Sequence, residues 1–214
     1  MLFAEEWPLM MFTLLSQFAV GTFTILFLLR MLIKDKTIVA KFTLPGIKLV
    51  VSVMALALIF SLFHLGTPTG AYRSIFNIGS SWLSREILTA GGFIVLAAAC
   101  LVVYKDANKG NTLGILTAIV GLASVFSMAS IYYSSIMPAW ITPNTYLVFF
   151  GTALVLGSLG AITSLALSLK GSELTAEAAG ALKKVVIIGL VAVAIPLIYT
   201  PIFISGLNGG EAAA

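Results

Sequence analysis

The sequence predicts an all-α fold, a polytopic bundle of six transmembrane helices. Hydrophobic residues make up 60% of the 214 residues and charged residues only 9%, whereas a soluble domain is about 25% charged. Six apolar stretches each reach the roughly 20 residues that a membrane-spanning helix needs. So few charges cannot cover a water-soluble surface of this size. The composition therefore excludes a soluble enzyme, a nucleic-acid-binding protein and a disordered chain. It indicates that the lipid bilayer surrounds most of the protein surface.

The six spans follow one another with no soluble domain between them, so we expect residues 1–214 to form a single membrane domain. The short alternating segments of a β-barrel are missing from the sequence, and helices then satisfy the backbone in lipid. The predicted spans cover residues 8–33, 47–64, 84–104, 113–136, 145–169 and 182–207.

The ends of the spans have distinct chemistry. The first follows Glu5 and Glu6, an acidic start unlike a cleavable signal peptide, so we expect it to remain as a helix. The second ends at His64 and the third begins at Ser84, and polar connections bound the remaining three. Small residues inside the later spans are expected to allow close helix packing. These are Gly91, Gly92, Gly114, Gly121, Gly151, Gly157 and Gly160.

Lysine and arginine predict the orientation. The second connection contains only Arg73 and Arg85. The first, third and fifth connections contain the other basic residues, namely Arg30, Lys34, Lys36, Lys41, Lys48, Lys105, Lys109, Lys170, Lys183 and Lys184. Because basic residues concentrate on the cytoplasmic side, these three connections should be cytoplasmic and both termini extracytoplasmic. The net charge of +4 is therefore attributed to membrane topology.

Two ionisable residues lie at the edges of apolar spans, on the predicted outer side. Glu86 is in the first turn of the third span, and His64, the only histidine, ends the second. Ionisable groups in such places are functional candidates, and together they could exchange protons with a quinol dissolved in the membrane. A proton-coupled small transporter is an open alternative. The single histidine and the single cysteine, Cys100, indicate no haem or metal site in this chain.

A structural explanation of the same residues is also open. Ser84 can be the N-cap of the third span, with Glu86 as a first-turn acid that favours the helix dipole. Trp82 then belongs to the aromatic belt at the membrane interface, and Gly66 and Pro68 form a turn. On this interpretation the protein is a purely structural membrane anchor.

Three blocks of sequence resemble the membrane-anchor subunit of dimethyl sulfoxide reductase, the DmsC family. The most specific runs His64-Leu65-Gly66-Thr67-Pro68, then Ala71-Tyr72, then Leu83-Ser84-Arg85-Glu86-Ile87. The N-terminal block is Glu6-Trp7-Pro8-Leu9-Met10 with Phe12, Gln17 and Gly21, and the later block has Pro138, Trp140 and Thr142-Pro143. The likeness extends over most of the sequence, and the histidine block favours this family over the related NrfD-type anchors.

The resemblance implies a function in anaerobic respiration. Family members anchor a molybdopterin catalytic subunit and an iron–sulfur subunit, oxidise menaquinol and pass its electrons to the iron–sulfur partner. Glu86 matches the family glutamate implicated in quinol binding, and His64 matches the histidine thought to lie near it. We expect Arg73 or Arg85 to pair with Glu86 or with a partner subunit, and Tyr132 to line the quinol slot. The expected location is the cytoplasmic membrane, with partners at the extracytoplasmic face.

The family usually has eight spans. The resemblance therefore implies that the last helix pair is absent here or replaced by other subunits.

Overall fold

The computed structural model describes the backbone of residues 2–64, 77–106, 109–168 and 176–211. Within these ranges, the side chains of residues 2–6, 64 and 207–211 are not described. Six long helices and one short 3₁₀ turn, Pro138–Trp140, make up the described structure. The helices are α1 (Leu2–Leu32), α2 (Lys36–His64), α3 (Trp82–Val103), α4 (Asn111–Tyr133), α5 (Pro143–Ser168) and α6 (Ala176–Glu211).

The predicted all-α fold is confirmed: no strand occurs in the described ranges, and all six helices are long and apolar enough to cross a membrane. Each helix begins before its predicted apolar span. For example, α2 begins at Lys36, eleven residues before its predicted span. Arg30 and Lys41, which the sequence assigned to the first connection, lie within α1 and α2.

Large apolar side chains cover the outside of the bundle. Val102 of α3, Leu167 of α5 and Ile198 of α6 are 68%, 69% and 69% exposed. In water such a surface would cause aggregation, because soluble proteins rarely expose large contiguous apolar patches. The exposed surface therefore fits a bundle surrounded by lipid.

Helix α1 is the centre of the arrangement. It packs most extensively against α2 and α5. The α3–α4 hairpin joins this core through contacts of α4 with α1 and α5 and through contacts of α3 with α2. Helix α6 lies on the outside and contacts mainly α5. Accordingly, α1 is the most buried of the six helices and α6 the least.

Glycines set the distance between α1 and α5. A methyl group built on Gly157 would overlap the backbone of Gly21, and one built on Gly21 would overlap the carbonyl group of Ala153. The two backbones are therefore in direct contact, as small residues allow in membrane helices. The packing role predicted from sequence is observed at Gly157, whereas a methyl group on Gly91 would meet no atom within 4 Å.

Buried polar contacts join the helices at the end of the bundle predicted to be cytoplasmic. The Arg30 guanidinium, 2% exposed, donates to the carbonyl oxygens of Asp106 (3.3 Å) and Lys109 (2.6 Å) and lies 4.0 Å from the centre of the Tyr104 ring. These contacts connect the end of α1 to the α3–α4 connection, so Arg30 fixes the position of a helix hairpin distant in sequence.

The start of α2 has its own local cap. The carboxylate of Asp35 accepts hydrogen bonds from the backbone N–H of Thr37 (2.8 Å) and from its hydroxyl (2.6 Å). These hydrogen bonds favour the ionised carboxylate and lower the pKa of Asp35. Asp35 therefore stabilises the free N–H groups at the N-terminus of α2.

Candidate functional site

The first turn of α3 holds the residues that the sequence singled out. Ser81 is its N-cap, and the Ser81 hydroxyl oxygen accepts a hydrogen bond from the N–H of Ser84 at 3.4 Å. The prediction that Ser84 caps the helix is therefore wrong. Serines occur at positions 80, 81 and 84, and sequence alone could not decide which one has the extended backbone of a cap.

The Arg85 side chain is hydrogen-bonded to the turn that precedes its own helix. Its guanidinium donates to the carbonyl oxygens of Ile78 (2.9 Å) and Gly79 (2.8 Å) and lies 4.1 Å from the centre of the Trp82 ring. Arg85 thus ties the preceding turn to the start of α3. No ion pair links Arg85 to Glu86 in the described part of the structure.

Glu86 points into the bundle. It is 5% exposed and occupies the same face of α3 as Ala90, Phe93 and Ala97, all of which are fully buried. The spacing of three or four residues places these side chains in one column. Glu86 therefore continues the buried column toward the outer end of α3.

The Glu86 carboxylate forms no hydrogen bond or ion pair with any other described group. A buried carboxyl group without a partner is unfavourable in a stable fold. Such a group is instead suited to accept a hydrogen bond and a proton from a ligand that enters beside it. Its position thus has the chemistry of a binding site.

His64 is the last residue of α2, and its side chain lies outside the described residues, as does the whole of Arg73. Helices α2 and α3 are consecutive and pack against each other. Met54 and Ala57 of α2 belong to the same buried cluster as Ala90 of α3. The end of α2 and the start of α3 therefore lie at the same end of the bundle.

Tyr132 lines a separate groove of about 460 Å³ near the ends of α4 and α5. Its ring contacts those of Trp140 and Phe149, with centroids 5.2 and 5.3 Å apart, and Asn144 and Phe203 also line the groove. None of the lining residues comes from α2 or α3. The structure therefore does not bring Tyr132 into contact with Glu86, and its role in binding a quinol stays a prediction.

A second groove, of about 440 Å³, runs between α5 and α6. Its lining is almost entirely apolar and includes Phe150, Leu154, Ile195 and Pro196. Tyr146 is its one lining residue with a polar side chain. The groove therefore offers a surface for hydrocarbon rather than for proton transfer.

The fold and the site together define a multi-spanning membrane protein that has a buried carboxyl group near one end of its bundle. No group of three or more metal-binding side chains occurs in the described ranges. Comparison with known proteins then gives the family. The profile of the DMSO reductase anchor subunit (DmsC) matches residues 3–209, and the protein belongs to this family.

Curated relatives agree with this assignment. The sequence is 31% identical over 161 residues to an anaerobic dimethyl sulfoxide reductase subunit of Haemophilus influenzae, covering 72% of this protein and 56% of that one. It is 32% identical over 180 residues to the subunit of the same name in Escherichia coli, covering 79% and 60%. The anaerobic dimethyl sulfoxide reductase subunit YnfH of E. coli is 29% identical over 159 residues, covering 72% and 56%.

The matched region spans 56–60% of the length of these curated relatives. No solved structure matches the sequence. Membership of the family supports a membrane anchor of a reductase complex, which fits the six apolar helices.

Proposed function

We propose that this protein oxidises menaquinol at the outer end of α2 and α3, as the membrane anchor of a respiratory reductase. The observation that carries the proposal is the buried Glu86 carboxylate, which no other described group satisfies. The relatives are subunits of anaerobic dimethyl sulfoxide reductases, and a membrane subunit of such a complex can supply electrons from the bilayer. The partners are then an iron–sulfur subunit, which receives the electrons, and a molybdopterin subunit, which reduces the final acceptor.

Oxidation of a quinol releases two electrons and two protons. In the proposed step, a quinol hydroxyl donates a hydrogen bond to the Glu86 carboxylate and then transfers its proton to it. The electrons leave for an iron–sulfur cluster of the partner, and the quinol becomes a quinone. We assign His64 to the same hydroxyl or to the onward transfer of the proton, and Arg73 to binding near the quinol. Tyr132 is a further candidate for quinol binding, in the groove between the ends of α4 and α5.

The orientation belongs to the same proposal. With the basic inner ends of the helices in the cytoplasm, Glu86 and the partner subunits lie at the extracytoplasmic face of the cytoplasmic membrane. Single cysteines test this, because the native Cys100 is fully buried. An impermeant thiol reagent added to intact cells should label Ile136→Cys, at a site 94% exposed, and spare Lys109→Cys. The reverse labelling would contradict the orientation.

The proposal is tested by Glu86→Gln in the assembled complex. The substitution keeps the size of the side chain but removes its ability to take a proton. Turnover with menaquinol should fall by about a hundredfold or more, while turnover with a soluble dye that reduces the partner subunits directly should be unchanged. The control is Glu177→Gln, because Glu177 accepts a hydrogen bond from the N–H of Lys34 at the other end of the bundle. Wild-type menaquinol turnover in Glu86→Gln would refute the proposal.

A further inference from the structure

A layer of buried polar side chains crosses the bundle at the depth of Glu86. Ser16 and Gln17 of α1 and Ser124 of α4 are 0%, 3% and 0% exposed. Ser16 Oγ, Gln17 Oε1 and Ser124 Oγ are buried and have no hydrogen-bond partner among the described atoms. We call Ser16, Gln17, Glu86 and Ser124 the outer polar layer.

Contacts between α3 and α4 place Glu86 at about the same depth as Ser124. A methyl group on Gly92 would lie 3.4 Å from Val120, and the rings of Trp82 and Phe126 have centroids 5.6 Å apart. Glu86 lies between Trp82 and Gly92, and Ser124 lies between Val120 and Phe126. In antiparallel helices these two positions therefore fall at a common depth, within about one turn of about 5.4 Å.

Helix α1 supplies the other two groups at the same depth. A methyl group on Gly121 of α4 would lie 3.1 Å from Val20 of α1. One turn further toward the outer end, α1 has Ser16 and Gln17 and α4 has Ser124. Since α1 and α4 are antiparallel, the three buried side chains lie at a similar depth, next to Gly121, which meets both Val20 of α1 and Phe93 of α3.

The serines of the layer differ from Thr13, Thr24 and Ser127 of the same helices. Thr13 and Thr24 of α1 donate to the carbonyl oxygens one turn earlier, at 2.9 and 2.8 Å. Ser127 of α4 does the same, at 2.9 Å. Ser16 and Ser124 form no such bond, so their hydroxyl groups remain available to another partner.

Water is the ligand that fits this layer. Buried polar atoms in proteins are nearly always satisfied by protein or by ordered water, and a buried water typically makes about three hydrogen bonds. Two hydroxyls, an amide and a carboxylate provide enough donors and acceptors. A quinol ring is too large for positions that surrounding side chains cover so completely, so the ring must approach Glu86 from outside the layer.

Building on the proposed function, we propose that Ser16, Gln17 and Ser124 hold water beside Glu86 and that this water carries away the proton taken from the quinol. The proton moves from the Glu86 carboxyl group to the water, which regenerates the carboxylate for the second proton. The water then releases the proton toward the outer end of the bundle. Gln17 and Ser124 are thus positioning residues, because they act through water.

Two variants of the assembled complex in lipid nanodiscs test this inference. Gln17→Leu and Ser124→Ala remove one polar group each. We expect kcat for menaquinol to fall about tenfold, with an increased solvent deuterium isotope effect. The KM for menaquinol and turnover with the soluble dye should be unchanged. If Gln17→Leu does not assemble, Ser124→Ala, which deletes a single oxygen atom, decides the test.

The matched control is Thr43→Val. Thr43 is 2% exposed, but its hydroxyl already donates to the carbonyl oxygen of Val39 at 2.6 Å, so its loss should leave kcat and the isotope effect unchanged. Wild-type kcat in both layer variants, in a preparation where Glu86→Gln abolishes menaquinol turnover, would overturn the water relay and leave the quinol site intact. Menaquinol turnover that survives Glu86→Gln would instead refute the proposed function, and the relay with it.

Discussion

Replacing Gly157 by alanine should disrupt the central contact of the bundle. The added methyl group would overlap the backbone of Gly21 in α1. Backbone atoms cannot move away by changing rotamer, as the end of a flexible side chain can. The axes of α1 and α5 must therefore move apart where the two helices cross. Overpacking of a close-packed interior costs about 1–3 kcal/mol of stability. Because backbone atoms of both helices meet here, we expect the free energy of unfolding to fall by about 3 kcal/mol. That value corresponds to roughly a hundredfold change in the unfolding equilibrium.

The free energy of unfolding in detergent micelles, obtained from titration with a denaturing detergent, measures this effect. The matched control is Gly91→Ala, because a methyl group there meets no atom within 4 Å. The control should change the free energy of unfolding by less than about 0.5 kcal/mol. Equal stability of the two variants would refute the close contact between α1 and α5.

Three further substitutions test local interactions. Arg30→Lys keeps the charge but loses the guanidinium, whose Nη2 donates to two carbonyl oxygens of the α3–α4 connection and whose plane meets the Tyr104 ring. The free energy of unfolding should fall by about 1.5–3 kcal/mol, and an unchanged value would refute this role of Arg30. Thr145→Val removes the hydrogen bond to the Trp140 carbonyl (2.7 Å). In the same titration the free energy of unfolding should fall by about 1 kcal/mol. A stability equal to that of the wild type would contradict a contribution from this bond. Asp35→Ala should destabilise the protein at neutral pH. Because the pKa of Asp35 is lowered by Thr37, the difference between wild type and variant should shrink as the pH falls through that pKa, and a pH-independent difference would contradict the cap.

The helices could be predicted from sequence because lipid imposes a simple rule. A spanning helix needs a long apolar run, and six such runs are visible. Glu86 could be singled out for the same reason, since a carboxyl group beside an apolar run is costly. In the structure its side chain is buried. Both inferences depend only on residues that are neighbours in sequence.

The contacts of Arg30 and of the outer polar layer could not be predicted in this way. Counting charges assigned Arg30 to a connection, whereas it is buried and bonded to carbonyls 76 and 79 residues away. Gln17 was noted only as part of the N-terminal block that resembles the DmsC family. Its depth relative to Glu86 and Ser124 depends on the axial positions of α1, α3 and α4 relative to one another. The sequences of α3 and α4 contain no pattern of charges that would reveal these positions.

The affinity of the purified complex for a redox-inert menaquinol analogue tests the central claim most directly, since binding requires neither turnover nor electron transfer. If Glu86 accepts a hydrogen bond from the quinol, Glu86→Gln should weaken binding by about tenfold, the difference expected between a charged and a neutral acceptor. The Glu177→Gln complex should bind with the wild-type affinity. Equal affinity in the wild-type and Glu86→Gln complexes would contradict the assignment of the quinol site to α3.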